Sequence, residues 1–578
     1  MINIQQKLIN KIEFFREWVF IIGMVFILPF VYTKTTIDPV LSLRFCILSI
    51  LLLVILFLEI FIFIRKGNNL VIQKRIIWIP LICYLFFSVL SLTNASNANE
   101  GVPEIVKILM FMTVLFMSSS IFNSKNSFLY FIRSSIISAI LLSFIGIAQY
   151  YFNYSEIPGG YGWPYGTMAN GNLFASALFL FLPFVLYGVF SFTGYWRTIS
   201  TISMSAVFLN IILTQTRAVW VAVIFSVCLL FLFLIGVYGK SIFSKLMRFN
   251  VNRRITQPIM ILVLTSAVGM ISINYLNPVE RVQDTLFSIT NLEDPAVYER
   301  LSLWKKSTDM IMDSPFLGVG KGNWKIQFPN YGTEGMRAET GYTNFQRPHN
   351  DYLWVLSETG ILGFLSYLMI FIVSLYYGIK FILPSNRVEK KLLMVCLIFG
   401  LTGYMVSSFF SYPMERIFHT VFLAIILGGI LSLYHGNNLS KQDEVQSPNY
   451  LLNLLIVCGI ILSVWIGLFQ FRTETHVLNA LRARQKSQWK SLIREVDKAN
   501  STLFPLDHTA TPLLWYRGVA NFSLDNMDTA FRDFQSAYQD NPNHVHVLNN
   551  LATVYEMKGN HQEAIKLYSR AIEISPKF

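Results

Sequence analysis

Long apolar stretches separated by short polar connections make up most of the first 470 residues. A helix that crosses a bilayer needs about 20 mostly apolar residues, and thirteen stretches approach that length. The predicted spans are 18–33, 41–64, 76–92, 103–122, 129–152, 173–193, 197–214, 218–238, 257–275, 361–383, 391–411, 417–434 and 450–470. The pattern therefore predicts an all-α polytopic membrane bundle of about 13 spans. Residues 1–17 carry apolar side chains at helical spacing with cations between them, which predicts an amphipathic helix in the membrane interface.

Composition supports a membrane protein. The 578 residues are 54% hydrophobic and only 14% charged, whereas soluble domains average about 25% charged residues. A net charge of +13 in a soluble chain would suggest nucleic acid as a partner. In a polytopic chain, Lys and Arg instead accumulate in the cytoplasmic connections, so no nucleic-acid partner is expected.

The distribution of basic residues predicts the orientation. Two connections, 93–102 and 153–172, contain no Lys or Arg. The connections that alternate with them are basic: Arg65–Arg75, Lys240–Arg254 and Arg387–Lys391. Because cationic connections stay inside, the N-terminus is predicted to be cytoplasmic. The interval 276–350 and everything after residue 470 are then predicted to lie outside the cell membrane.

The interval 276–350 is much longer than a typical connection of about 4–6 residues. Its many aromatic residues argue against disorder, and apolar spacing predicts a helix over Tyr298–Met312, ended by Asp313-Ser314-Pro315. The glycine-rich stretch Gly318–Gly322 predicts a turn. It lacks the Gly-Lys-Ser/Thr ending and the preceding strand of a phosphate-binding P-loop. We therefore expect an ordered cap over the outer face of the bundle.

The long apolar stretches stop after residue 470, and a sequence pattern then repeats at a spacing of 34 residues. Matching pairs are Gly518 with Ala552, Ala530 with Ala564, Phe534 with Tyr568, Ala537 with Ala571, and Pro542 with Pro576. This period is typical of tetratricopeptide repeats, which are stacked pairs of antiparallel helices. The segment Val477–Ser501 is predicted to be a helical packing partner, and the repeats are expected to bind a protein partner. The predicted regions are 1–17 (interfacial helix), 18–275 (bundle), 276–350 (cap), 351–470 (bundle) and 471–578 (repeat domain).

One histidine is hard to explain as packing. His349 lies at the predicted outer surface, two residues after Arg347 and just before a span. An imidazole can take a proton from a hydroxyl near neutral pH, which suits a general base in glycosyl or acyl transfer. None of the five cysteines has a Cys or His neighbour at ligand spacing, so neither a metal site nor a cofactor is expected.

Several cations are predicted on the same side as His349. Arg217 occupies a tight turn between spans, and Arg300 opens the helix of the cap. Arg44 and Lys107 lie just inside the outer ends of their spans, where snorkelling to lipid phosphates is an equal alternative. Arginine binds phosphate oxygens bidentately, so two or three of these side chains can hold a diphosphate.

Several stretches together resemble the bacterial O-antigen ligase and polymerase family. They are Arg347–Leu353 (RPHNDYL), Glu358–Gly363 (ETGILG), Arg300 with Trp304, Asp313–Gly320 (DSPFLGVG), Thr216-Arg217-Ala218, and Asn170-Gly171-Asn172. The resemblance covers about 160–430. The family turn commonly has Ser where this chain has Thr216. The thirteenth span and the repeat tail are absent from its simplest members, so the acceptor can differ.

The resemblance implies a metal-independent integral-membrane glycosyltransferase in the bacterial plasma membrane, acting on an undecaprenyl-diphosphate-linked glycan. By position, Arg217 and Arg300 would hold the diphosphate and His349 would activate the acceptor hydroxyl. Arg347, Lys107 and Arg44 are further candidates for substrate binding. The residues expected to support the site are Asn350, Glu358, Asn170 and Asn172.

Alternatives remain open from sequence alone. The acceptor is either another lipid-linked glycan, which makes the protein a polymerase, or a protein or wall polymer, which makes it a ligase. A flippase for lipid-linked glycans would show internal repeats and ionisable residues near the bilayer midplane, and the spans show no such repeat. A non-enzymatic scaffold for envelope assembly would leave Arg217, Arg300 and His349 without a purpose.

Overall fold

The computed structural model describes residues 2–66, 76–152, 154, 164–246, 253–276, 295–383, 388–438, 450–500 and 502–578. These residues form an all-α fold, as predicted, and their only β-pairing is an isolated bridge between Leu506 and Pro512. The helices up to the end of the bundle are α1 (Ile2–Ile22), α2 (Leu41–Lys66), α3 (Trp78–Leu90), α4 (Gly101–Ile121), α5 (Lys125–Phe152), α6 (Gly171–Ser191), α7 (Gly194–Leu213), α8 (Arg217–Leu246), α9 (Arg253–Leu276), α10 (Pro295–Asp313), α11 (Asp351–Ile382), α12 (Val388–Phe410), α13 (Ile417–Asn438) and α14 (Tyr450–Gln485).

The described part of the chain contains nine helices long and apolar enough to cross a membrane. Three shorter apolar helices accompany them: Trp78–Asn94, Arg217–Leu232 and Met260–Asn274. The protein is therefore a polytopic membrane protein, although the count of 13 spans is not confirmed. The predicted interfacial helix and first span form one continuous run, because α1 passes through a π-helical stretch at Gly23–Ile27 into the turn Leu28–Phe30.

Much of the sequence that sets the predicted orientation lies outside the described residues. This holds for most of the basic connections, at 67–75, 247–252 and 384–387, and for residues 277–294 at the start of the cap. The cytoplasmic N-terminus and the outer position of the cap therefore stay predictions.

Helices α6 and α13 form the centre of the bundle, with 89% of the apolar window of each buried inside the protein. Both are apolar on all sides, as expected of helices surrounded by other helices. Phenylalanine rings fill the space between them, and the rings of Phe181 and Phe422 lie 4.7 Å apart. A rigid core of this kind fixes the helix ends that carry the candidate site residues.

The cap is fastened to a break in α11. Gly360 has φ +63°, and the helix changes direction there. Three backbone hydrogen bonds join the two segments, from Val319 N to Ser357 O (2.9 Å), from Gly320 N to Glu358 O (3.1 Å) and from Ile361 N to Pro315 O (2.8 Å). The stretches 313–320 and 358–363, which carried much of the family resemblance, thus form one structural unit.

Replacing Gly360 by Ala is expected to destabilise the protein strongly. The new methyl group would overlap the Phe316 carbonyl, at a φ that L-residues rarely adopt. Gly194→Ala is the matched control, because Gly194 also has positive φ (+59°) but open space around its missing Cβ. We expect G194A to cost about 1–2 kcal/mol and G360A to cost clearly more. Melting temperatures in detergent measure the difference, and equal losses would contradict the packing described.

The tail contains three helix pairs. The end of α14 pairs with α15 (Trp489–Ala499), α16 (Leu513–Ser523) pairs with α17 (Met527–Asp540), and α18 (Val545–Met557) pairs with α19 (His561–Ile574). A methyl group at Gly518 would lie 2.6 Å from the Phe534 ring, which explains the small residue at that repeat position. The predicted partner segment 477–501 is helical, and the boundary at 471 falls inside the continuous helix α14.

The tail packs directly against the cap and the bundle. Thr333 Oγ1 donates to Ile574 O (2.7 Å), and Asn543 Nδ2 donates to Ile326 O (2.9 Å). Asn97 Nδ2, before α4, donates to Asp540 O (3.2 Å). Buried polar groups satisfied in this way hold the tail in one position against the cap and the bundle.

Candidate functional site

His349 is presented at the start of α11 by a constrained backbone. Asn350 caps that helix, and its Oδ1 accepts from Tyr352 N (3.0 Å) and Leu353 N (3.1 Å). The Trp304 indole on α10 donates to Pro348 O (3.0 Å). His349 itself has φ +55°, in the left-handed region. Strained conformations of non-glycine residues cluster at functional sites, where the surrounding contacts enforce them.

The ring of His349 is half-buried among cations. It contacts Tyr412 edge-on, with ring centroids 4.9 Å apart. Burial, followed by the positive charges of Arg300, Arg347 and Arg337, lowers the pKa of His349 to about 3. A neutral imidazole at neutral pH has a lone pair ready to accept a proton.

Arg300 and His349 are therefore close enough to interact electrostatically. Arg300 is half-buried on α10, and its charge is the largest electrostatic influence on the His349 ring. An anion bound between them would be attracted by the guanidinium while the imidazole stays uncharged.

Arg217 opens α8 from a braced turn. The Thr216 hydroxyl donates to Asn172 Oδ1 (3.2 Å), which ties the turn to the start of α6. Asn170 caps α6, accepting from Asn172 N (2.9 Å) and Leu173 N (3.2 Å). Asn170 thus fixes the start of α6, and Asn172 connects that helix start to the turn before Arg217. Together they position the segment that carries Arg217.

An apolar groove runs down the bundle from this end of the protein. It has a volume of about 730 Å³ and lies between α8, α11 and α12. Val221 lies one turn below Arg217, and Tyr352 lies three residues after His349. Helix α11 contributes Tyr352 near its start and Leu375 and Ile379 near its end. The full lining is Val221, Phe225, Leu229, Leu230, Tyr352, Leu375, Ile379, Ile398, Thr402, Met405, Val406, Phe409 and Phe410.

The contacts of Arg347 lie within the protein. Its guanidinium pairs with Glu415 and lies 4.4 Å from the centroid of the Tyr412 ring. Burial, reinforced by Arg416, lowers the pKa of Arg347 to about 10. Its charge is matched inside the protein, so Arg347 supports the Tyr412 ring against which His349 rests.

Arg44 and Lys107 find their partners elsewhere than around His349. Arg44 is buried and donates to the carbonyls of Val31 (3.2 Å), Pro29 (2.9 Å) and Thr167 (2.7 Å). Lys107 pairs with Glu104 at 2.6 Å. These contacts satisfy both charged side chains inside the protein. They explain the two charges without snorkelling to lipid phosphates and without a position beside His349.

Glu358 anchors the cap. It is 1% exposed, and its Oε2 accepts from Lys321 Nζ (2.9 Å) while its Oε1 accepts from the Trp354 indole (2.8 Å). Burial opposes a charge on Lys321, but the Glu358 carboxylate outweighs it and raises the pKa of Lys321. Glu358 thus joins the cap to α11, and its expected supporting role at the site stays a prediction.

We expect Lys321→Met to destabilise the fold by about 3–5 kcal/mol, because it leaves a buried carboxylate without its cation. Lys566→Met is the control, since Lys566 and its partner Glu563 are 76% and 45% exposed and 3.9 Å apart. Such surface pairs contribute about 0–1 kcal/mol. Chemical denaturation in detergent compares the two, and a small effect at Lys321 would contradict the anchoring role.

Sequence reasoning missed the connection between α12 and α13. Tyr412 touches both His349 and Arg347, and Glu415 pairs with Arg347. Arg416 pairs with Asp38 at 2.5 Å. A signal was available, since Arg416 is a cation in a connection predicted to face outside, whereas the outside connections 93–102 and 153–172 lack Lys and Arg.

Comparison with known proteins confirms the resemblance. Residues 202–368 match the family model described as O-antigen ligase, and residues 509–577 match the model described as tetratricopeptide repeat. The first match covers Arg217, Arg300 and His349 with the helices that carry them. No curated protein matches the chain. The chain thus combines an O-antigen ligase domain with C-terminal tetratricopeptide repeats.

Proposed function

We propose that this membrane protein, with its O-antigen ligase domain and repeat tail, transfers a glycan from undecaprenyl diphosphate to a hydroxyl of an acceptor outside the plasma membrane. The family match supports a membrane glycosyltransferase-like ligase. The observation that carries the finer proposal is the position of the apolar groove, whose outer end lies at the helix starts that bear Arg217 and His349.

The groove suits the lipid part of the donor. Its volume lies within the range of about 300–1,000 Å³ of small-molecule sites. Several lining side chains face outward, among them Phe225 (48% exposed) and Phe409 (44% exposed), so a chain can enter from the bilayer. A polyprenyl chain in this groove would leave its diphosphate at the outer end.

The diphosphate would then meet the guanidinium groups. Arg217 and Arg300 would donate to its oxygens, and their charge would stabilise the diphosphate as a leaving group. In this scheme Asn172 positions Arg217 through Thr216, and Trp304 positions His349 through the Pro348 carbonyl. Arg347 acts behind Tyr412.

The transfer step balances within these groups. His349 accepts the proton of the acceptor hydroxyl as the oxygen attacks the anomeric carbon. The bond between that carbon and the diphosphate oxygen breaks, and its electron pair goes to the diphosphate. The products are a new glycoside and undecaprenyl diphosphate, and the proton on His349 passes to the leaving diphosphate or to water.

Reconstitution tests the proposal. Purified protein in liposomes is given a lipid-linked glycan fraction and an envelope extract with protein and wall-polymer acceptors, both from the producing cells, and glycosidic products and free lipid diphosphate are measured. Equal amounts of new glycoside and lipid diphosphate are expected. Movement of the donor across the bilayer without bond cleavage would indicate a flippase, and absence of both would indicate a scaffold.

The pH dependence has a defined sign. Since the pKa of His349 is about 3 in the free protein, the base stays unprotonated down to that region, and activity falls only as pH drops through it. We expect kcat/KM, which reports the free enzyme, to show no acid limb near the ordinary histidine pKa of about 6.5. Arg300→Ala removes a positive charge, so the acid limb should move to higher pH. A limb near 6.5 in the unmodified protein would contradict the environment described for His349.

A further inference from the structure

A polar cavity of about 120 Å³ lies where the bundle, the cap and the tail meet. The bundle contributes Glu104, Lys107 and Glu474, the cap contributes Lys325 and Arg347, and the tail contributes residues just before α16. Such a space holds several water molecules, given a liquid volume of about 30 Å³ for each. A ligand with matching hydroxyl groups can take their place.

The tail segment that lines the polar cavity is held firmly. Asp507 accepts hydrogen bonds from Thr509 N (2.7 Å), Thr511 N (2.9 Å) and the Tyr516 hydroxyl (2.7 Å). Leu506 packs in a small apolar cluster with Ile326 of the cap. His508, the next residue after Asp507, therefore enters the cavity wall from a fixed loop.

The charges around the cavity disfavour an anion. Six carboxylates line it, against three cations: Glu100, Glu104, Glu358, Glu415, Glu474 and Asp507, against Lys107, Lys325 and Arg347. Each of these cations already has a carboxylate partner, as in the pair of Lys325 with Glu100 at 2.6 Å. Among the described residues, Glu474 and Asp507 form no ion pair with a cation. The cations that line the cavity are thus engaged by carboxyl groups of the protein, which disfavours a diphosphate here.

The remaining groups suit neutral hydroxyls. Glu474 Oε2 accepts from Ser42 Oγ (2.9 Å) and can accept more bonds, and Gln470 offers an amide. Burial lowers the pKa of His508 to about 4, so its imidazole is neutral and can both donate and accept. In the described part of the chain, no group of three His, Cys, Asp or Glu side chains is placed to hold a metal ion.

The polar cavity shares a wall with the candidate site. Arg347 lines the cavity, and its guanidinium lies 4.4 Å from the centroid of the Tyr412 ring. The ring centroids of Tyr412 and His349 lie 4.9 Å apart. A ligand in the cavity would therefore contact Arg347, which connects it to His349 through the Tyr412 ring. Donor and acceptor need separate places beside a transferring centre, and the polar cavity is separate from the apolar groove.

We propose that the polar cavity binds a neutral, hydroxyl-bearing sugar of the acceptor, and that His508 of the repeat tail is a positioning residue for it. The proposal rests on the proposed transferase function. It gives the tail a part in acceptor selection in addition to any protein partner. It also explains why the tail is fastened to the cap by buried hydrogen bonds.

The test separates transfer from hydrolysis. In the liposome assay with the extracted lipid-linked glycan fraction, water competes with the acceptor for the donor, and the ratio of glycoside formed to glycan released is measured. For His508→Ala we expect that ratio to fall at least about tenfold, the factor that corresponds to one lost hydrogen bond of about 1.4 kcal/mol. His561→Ala is the matched control, because His561 is an exposed tail histidine away from the cavity.

A second variant guards against misfolding. Glu474→Gln keeps the shape of the side chain and replaces one carboxyl oxygen by an amide group, and it should lower the same ratio while the tail keeps its resistance to protease. An unchanged ratio in both variants would overturn the proposal. An equal fall of transfer and hydrolysis would also overturn it, since the cavity would then serve the donor. If the unmodified protein forms no glycoside at all, the transferase function itself has failed, which is a distinguishable result.

Discussion

His349→Gln is expected to lower kcat by about 10²–10⁴-fold, the usual contribution of a general base. Glutamine fills similar space and keeps a polar end, but it cannot accept a proton at neutral pH. The fold should persist, because the neighbouring backbone is held by the Asn350 cap and by the Trp304 bond to Pro348 rather than by the imidazole. Initial rates of glycoside formation in liposomes measure the loss.

The matched control for this variant is His561→Gln, an exposed histidine outside the bundle. It should retain the full rate. Donor binding by His349→Gln should also persist, so the loss should lie in kcat and leave KM for the donor nearly unchanged. A variant with an unimpaired rate would show that His349 is not the base.

Arg217→Ala is expected to lower kcat/KM by about 10²–10³-fold, comparable to removing one donor that stabilises developing negative charge. Arg217→Lys should recover only part of this loss, because an ammonium group provides charge without the bidentate fork. The physical reason is the position of Arg217 at the first residue of α8, directly above the groove wall at Val221.

Arg197→Ala provides the control for Arg217. Arg197 lies in the first turn of α7, and Arg217 follows the other end of that helix, so about 24 Å of helix from Arg197 to Leu213 separates the two positions. Its removal should leave the kinetic constants almost unchanged. Equal losses at the two positions would show that positive charge in general, and no defined diphosphate site, limits the reaction.

Local patterns predicted the elements well. The apolar runs indicated membrane helices because a bilayer imposes their length, and the helix Pro295–Asp313 was expected over Tyr298–Met312 with its stop at Asp313-Ser314-Pro315. The spacing of 34 indicated helix pairs, because each repeat must place the same small residue against the same aromatic ring. Gly518 beside Phe534 shows that contact directly.

Local sequence patterns could not predict contacts between segments that are distant along the chain. Arg347 and Glu415 are 68 residues apart, and nothing in either local sequence indicates that they pair. The charge of Arg44 suggested a ligand, but the carbonyls of Pro29 and Thr167 that satisfy it become neighbours only when α2 packs against two connections. His508 was passed over for the same reason, since its place depends on how the tail docks on the cap.

The most direct test of the central claim is an experimental structure of the protein in lipid nanodiscs with undecaprenyl diphosphate bound. We predict diphosphate oxygens within hydrogen-bond distance, about 3 Å, of both Arg217 and Arg300, with His349 beside the site. The polyprenyl chain should lie in the groove lined by Val221, Tyr352 and Met405. A diphosphate bound away from these arginines, or a chain outside the groove, would contradict the account.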